Sequence, residues 1–261
     1  MAQATEDAGR IDRWGRDMTQ TTLGRLFGTA HRSWFRVEWE GLENIPAEGG
    51  ALLVSNHAGM MPVDGGLIQY GVQEETRRLV YMLGHHGLFR FPYVGRILRR
   101  AGTVVAHPDN ADRLLREDGR LVLVFPEGEK GPVKPVSERY RLQRFGRGGF
   151  VETAIRAGVP IVPIALMGTE DATPTIANLE IGGQRMPLTL NAMLLGPVLG
   201  SMAPLPVKIR ARVLPRVHFD PEADSSAYSR SQLMEHAESI RSDMQHALDD
   251  MYARRESRWW G

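Results

Sequence analysis

The 261-residue chain contains no cysteine and only three lysines, Lys130, Lys134 and Lys208. The missing thiol excludes disulfides, thiolate metal sites and a cysteine nucleophile. Nearly all of the positive charge is therefore arginine, and it balances the acidic residues to a formal net charge of +1. A leader pattern is also missing: residues 1–9 are polar, without a basic start followed by an apolar stretch, and read as carrying no secretory signal. No Walker loop, Gly-x-Gly-x-x-Gly fingerprint or Gly-x-Ser-x-Gly elbow occurs, which argues against phosphate cradles, dinucleotide binding and α/β-type serine hydrolysis. His85 and His86 are adjacent and would point apart on a strand, so no metal site is expected there. Too few aromatics are interleaved with the basic residues for nucleic acid to be an expected partner.

With 42% hydrophobic and 24% charged residues, the composition is that of a globular chain able to bury a sizeable core. Short apolar runs over 51–55, 79–83, 103–105, 121–125, 161–165 and 207–213 read as strands. Helical patterns over 65–70, 93–100, 110–117 and 148–157 alternate with them. This alternation predicts an α/β fold with a largely parallel central sheet flanked by helices.

Before the sheet, Ile11, Trp14, Met18, Thr22, Leu26, Ala30 and Trp34 recur at three- and four-residue spacing, with arginines between them. They predict an amphipathic helix or helix pair over 10–36. A helix packed on its own domain and a helix lying in a membrane interface share this pattern. A closing helix is expected over 229–254, with Leu233, Ala237, Ile240, Met244, Leu248 and Met251 on one stripe. The chain divides on this reading into an N-terminal helical segment (1–40), a central domain (41–220) and a C-terminal helix (221–261). The stretch 186–207 carries no charge, yet its prolines and glycines would break a spanning helix. It reads as an irregular apolar segment that dips into a membrane interface, lines an acyl-chain pocket, or fills the core as a loop.

Two motifs stand at expected strand ends, where open α/β sheets place their chemistry. The first, Asn56-His57-Ala58-Gly59-Met60-Met61-Pro62-Val63-Asp64, offers a histidine and a carboxylate across one loop. A neutral imidazole has a proton affinity suited to general-base work near neutral pH, and a carboxylate on its far nitrogen orients it. Asp64 at a helix start can equally cap free backbone amides. The second motif, Phe125-Pro126-Glu127-Gly128-Glu129-Lys130-Gly131, offers a glutamate, a glycine backbone and a lysine. After it comes a basic stretch, Lys134, Arg139, Arg141, Arg144 and Arg147, which is either a phosphate-holding patch or a solvated loop.

Together the two motifs resemble those of the glycerolipid acyltransferase superfamily, the lysophosphatidate acyltransferase type, with its His…Asp and Phe-Pro-Glu-Gly hallmarks. The apolar run Val159-Pro160-Ile161-Val162-Pro163-Ile164 matches the fourth motif of that superfamily. Six residues separate His57 from Asp64 where four are usual, a spacing that resembles the monoacylglycerol and diacylglycerol acyltransferase-like branch. The third motif continues Gly-Glu-Lys-Gly in place of the common Gly-Thr-Arg-Ser, and residues 102–110 lack the second motif's phosphate-gripping arginine.

The resemblance implies an acyl-CoA-dependent O-acyltransferase acting on a glycerolipid hydroxyl, whether of a lysophospholipid, lysophosphatidate or acylglycerol. His57 would be the general base and Asp64 its orienting group, with no acyl-enzyme. Glu127, Gly128 and Lys130 would shape the acceptor pocket, and Lys134, Arg139, Arg141, Arg144 and Arg147 would hold phosphates of coenzyme A or of anionic lipid. Acyl-CoA is the co-substrate and no further cofactor is implied. A membrane surface is the expected partner, with the protein peripheral on the cytoplasmic face. The same residues would also serve a hydrolase of acyl-CoA or lysolipid, or persist in a non-catalytic membrane-binding protein.

Overall fold

Runs of Val, Leu and Ile too short for helices, and apolar on both faces, can only be buried strands. In the computed structural model, which describes residues 11–18, 22–58, 63–181, 184–196, 203–220 and 228–259, they build the centre of one sheet. Its first six strands are β1 (Glu38–Glu40), β2 (Ala51–Ser55), β3 (Val80–Gly84), β4 (Thr103–Val105), β5 (Leu121–Val124) and β6 (Ile161–Met167). A separate antiparallel hairpin follows, β7 (Thr175–Ile181) with β8 (Gln184–Thr189). Then β9 (Arg210–Val213) returns to the sheet, antiparallel to β6 and parallel to β1. The order is β1-β9-β6-β2-β5-β3-β4, with β2 through β6 mutually parallel.

The helices are α1 (Thr22–Thr29), α2 (Val63–Thr76), α3 (Pro92–Arg100), α4 (Pro108–Asp112), α5 (Gly149–Ala157), α6 (Thr169–Ala172), α7 (Leu190–Leu195) and α8 (Arg230–Ala253). Alternation along β2 splits the core in two. Ala51 and Leu53 face Leu67, Ile68 and Val72 of α2. Leu52 and Val54 face the opposite layer, built from α5, α8 and the turn after α4. Every residue of β2 and β6 is buried, as a sheet covered on both faces requires.

This connectivity creates a crevice. From β2 the chain crosses one face, through α2, toward β3. From the neighbouring β5 it crosses the other face, through α5, toward β6. Adjacent strands whose connections leave in opposite directions define a switch point, and their carboxyl ends part to leave a binding crevice.

The largely parallel sheet and the C-terminal helix agree with expectation; other elements differ. Residues 11–17 are not helical but form a turn closed by the Ile11–Asp17 bridge. Asp12 Oδ1 accepts the backbone N–H of both Trp14 and Arg16, and Gly15 sits at φ +85°, so local side-chain bonding displaces the helix. Among the described residues helix begins at α1 and widens into π-type turns through Trp34. It packs on its own domain, with Phe35 and Ala30 in the α2-side core.

The expected strand over 207–213 shortens to β9. The backbone N–H groups of Lys208 and Ile209 are spent on Arg258 and Phe35 carbonyls instead. Of the apolar stretch 186–207, residues 186–189 complete β8 and 190–195 form α7, capped by Thr189 Oγ accepting from Ala192 N–H at 3.1 Å, while 203–207 are irregular as expected. Pro187 is accommodated in β8 because a two-stranded hairpin has only edge strands. Residues 197–202 of that stretch lie outside the described residues. Among the described residues no helix is long and apolar enough to cross a membrane.

Candidate active site

The carboxyl ends of β2 and β5 deliver the two motifs to the crevice. Asn56, fully buried, locks the end of β2 to β6: its side-chain amide donates to Leu166 O and its carbonyl accepts from Leu166 N–H, each at 2.8 Å. His57 follows at the rim, its side chain 19% exposed, while Asp64 in the first turn of α2 is 1% exposed. Gly59, Met60, Met61 and Pro62, between them, lie outside the described residues.

His57 Nδ1 bonds Asp64 Oδ2 at 2.8 Å, and Ala58 N–H donates to the same oxygen at 2.6 Å. With Asp64 as a carboxylate, Nδ1–H of a neutral imidazole donates to it and Nε2 carries the lone pair. The ring stacks on Phe125, with centroids 4.4 Å apart and planes 23° off parallel. Orientation of the imidazole is thus set from two sides, by a carboxylate and by an aromatic face.

Glu127 is buried and both its oxygens are occupied. Oε1 accepts His57 N–H at 3.2 Å, and Oε2 accepts Gln143 N–H at 2.8 Å and lies 3.2 Å from Lys134 Nζ. The second motif therefore ties its loop to the backbone of the first. Gly131 passes so close that a Cβ there would meet His57 O at 2.9 Å, and Gly128 adopts the left-handed φ of +57°.

Lys134 is taken out of the basic patch: its side chain is 3% exposed, and Nζ bonds Glu170 Oε1 at 2.9 Å as well as approaching Glu127. Burial by itself lowers the lysine pKa, but Glu170 and Glu127 outweigh it and hold the ammonium above the ordinary lysine value. Burial raises Glu170; the Lys134 charge and hydrogen bond oppose it, and the neighbouring Glu127 carboxylate adds a smaller upward push. The network continues outward. Tyr140 N–H donates to Glu170 Oε2 at 3.0 Å, Tyr140 O–H donates to Asp171 Oδ2 at 2.7 Å, and Arg255 pairs with the same Asp171 oxygen.

Of the remaining basic residues, Arg139 is half-buried, 3.8 Å from Asp171. Lys130, Arg141, Arg144 and Arg147 are exposed. The pattern of charges along the chain thus overlooked Glu170, Asp171, Tyr140 and Arg255. One signal was available: Glu170 and Asp171 follow directly on the long apolar run of β6, at the same sheet edge as His57. Lys134 carried another, being one of three lysines in an arginine-rich chain.

Fold and site together define an α/β protein with an oriented histidine at the switch point of a parallel sheet. The sequence profile of the Acyltransferase family matches residues 36–167, half of the chain, from ahead of β1 to the end of β6 and including His57, Asp64 and Glu127. The chain belongs to this family. An uncharacterized protein of Mycobacterium tuberculosis is 38% identical over 237 residues, which cover 88% of this chain and 65% of that protein. The chain thus spans just under two thirds of that relative's length. The human "DGAT1/2-independent enzyme synthesizing storage lipids" is 25% identical over 206 residues, 79% of this chain and 61% of that protein. Among solved structures, the 1-acyl-sn-glycerophosphate acyltransferase PlsC of Thermotoga maritima shares the fold. The TM-score is 0.57 at 20% identity, over 90% of this chain and 80% of that one.

Proposed function

We propose that the protein transfers a fatty acyl group from acyl-CoA to a hydroxyl of a glycerolipid at a membrane surface. The observation that carries this reading is the 2.8 Å bond from His57 Nδ1 to Asp64 at the crevice edge, in a chain of the Acyltransferase family. In the proposed step, His57 Nε2 takes the proton of the acceptor hydroxyl as its oxygen attacks the thioester carbonyl. Asp64 holds the tautomer and stabilises the imidazolium that forms. Collapse of the tetrahedral intermediate expels the coenzyme A thiolate, which recovers the proton from His57, so the ester and free thiol leave with the enzyme unchanged.

Glu127, with both oxygens bonded to protein, holds the loops in register and presents Gly128 and Lys130 to the acceptor. Exposed Lys130, Arg141, Arg144 and Arg147 supply positive charge for coenzyme A phosphates. Two observations favour an acylglycerol over lysophosphatidate as acceptor. Residues 102–110 contain no arginine to grip an acceptor phosphate, and one group of relatives carries a storage-lipid name.

The test is transfer of label from radiolabelled palmitoyl-CoA to a detergent-dispersed panel of lysophosphatidate, lysophospholipids, monoacylglycerol and diacylglycerol. Ester product on one acceptor is expected. In His57→Ala it should fall by at least a thousandfold, on the order of 4 kcal/mol of barrier, with unchanged circular dichroism. Label released only as free fatty acid would make the protein a hydrolase, and turnover retained in His57→Ala would remove the histidine from the mechanism.

A further inference from the structure

Helix α3 and the turn before it leave their apolar side uncovered. Leu88, Phe91, Val94 and Ile97 recur every three residues and are between 43% and 65% exposed, while Gly95 is buried on the inner side. Arg90, Arg96, Arg99 and Arg100 flank the stripe, all exposed. From residue 76 to residue 108 the sequence contains no Asp or Glu. The Arg99 guanidinium lies over the Phe89 ring at 5.3 Å. The other three side chains have no hydrogen bond or ion pair among the described residues. A surface helix that faces water alone ordinarily mixes both signs of charge. Here an exposed apolar stripe is bordered by one sign only.

We infer that α3 with residues 88–91 is the element that docks the protein on an anionic lipid bilayer. The inference rests on the proposed function, for which the acceptor is lipid-borne, and names the surface that meets the lipid. The occupant follows from charge and shape. Helix α3, at nine residues, is about 14 Å long, enough to lie in the headgroup boundary and far too short to cross it. Arginines beside such a stripe keep their stems on apolar material while their guanidinium groups reach lipid phosphates.

Position supports the assignment. The turn before α3 leaves the carboxyl end of β3, and β3 lies two strands from β2 in the sheet, about 10 Å away. A docked α3 therefore brings lipid to the edge that carries His57.

The test is co-sedimentation of the full chain with phosphatidylcholine vesicles containing either no phosphatidylglycerol or about one third. Binding to the anionic vesicles, weakened by salt, is the expected result. The double variant Phe91→Ser/Ile97→Ser should lose at least tenfold in partitioning. Arg96→Gln/Arg100→Gln should lose a similar amount, since each arginine near an anionic surface contributes roughly a fivefold factor. Both variants should keep the wild-type unfolding midpoint and turnover on a short-chain acceptor dispersed as monomers. His57→Ala should bind vesicles as the wild type does, so loss of the catalytic reading leaves the docking result standing, and the reverse. Equal binding of both double variants and the wild type would overturn the inference. A solution dimer broken by Phe91→Ser/Ile97→Ser, without vesicle binding, would overturn it in favour of a second copy as occupant.

Discussion

At the residue scale, Lys134 shows how one buried side chain can organise a site. Its compact ammonium fits between Glu127 and Glu170, where the broad planar fork of arginine would need more room. Removing it leaves two buried carboxylates without a cation. Lys134→Met should therefore destabilise the protein by about 3–5 kcal/mol at pH 8, measured by urea unfolding. The pH dependence has a definite sign. Burial holds Glu170 above its unfolded value, and loss of Lys134 raises it further. A group so raised favours the folded state at low pH and loses that contribution as pH rises through its folded pKa. The deficit of the variant should thus shrink at pH 5, and adding Glu170→Gln should recover part of it at pH 8. Equal deficits at both pH values would contradict the shared-cation account. Charge pattern alone placed Lys134 with the arginines expected to hold phosphate, because a one-dimensional pattern carries no burial.

At the element scale, the turns after α1 depend on a neutral histidine. His31 is buried beside Tyr70, and its Nε2 accepts the indole N–H of Trp39 at 3.1 Å. Burial, reinforced by Arg32, lowers its pKa to about 4. The unfolded chain, with histidine near 6.5, takes up the proton first as pH falls. Stability from this residue is complete above about pH 6.5 and declines as pH falls toward 4. Thermal unfolding followed by circular dichroism should show that decline, and His31→Gln should flatten it. The helical periodicity over 10–36 was legible, but residues 11–17 are not helix. Asp12 and Gly15 bend the backbone locally, a competition that spacing of apolar residues does not register. The β7–β8 hairpin escaped notice for a related reason: its strands pair with each other, outside the main sheet, and lack the buried apolar run of a central strand.

At the scale of the whole molecule, α8 covers one face of the sheet and fastens the site's outer loops. Leu233, Ala237, Ile240, Met244, Leu248 and Met251 are all buried in the core, on the stripe expected from spacing. From the same helix Gln245 accepts Leu142 N–H and donates to Tyr140 O, each at 2.8 Å. Ile240→Ala should cost about 2–5 kcal/mol in urea unfolding with an unchanged m-value, since it opens a cavity without altering the unfolded chain greatly. A cost below about 0.5 kcal/mol would mean that α8 does not share the core.

Local chemistry determined a great deal. Apolar runs of four to seven residues that leave no polar face must be buried strands, and their alternation with helices dictates a largely parallel sheet. Sequence also placed His57 and Glu127 at strand ends, because the motifs begin where the apolar runs stop. Tertiary structure decided what those residues touch. The strand order sets β2 beside β5, and only that adjacency turns two motifs about seventy residues apart into one crevice, with Glu127 on the His57 backbone. It likewise decided which cations are buried and which apolar stripe is left uncovered. Both depend on contacts between segments distant along the chain, and no local pattern encodes them.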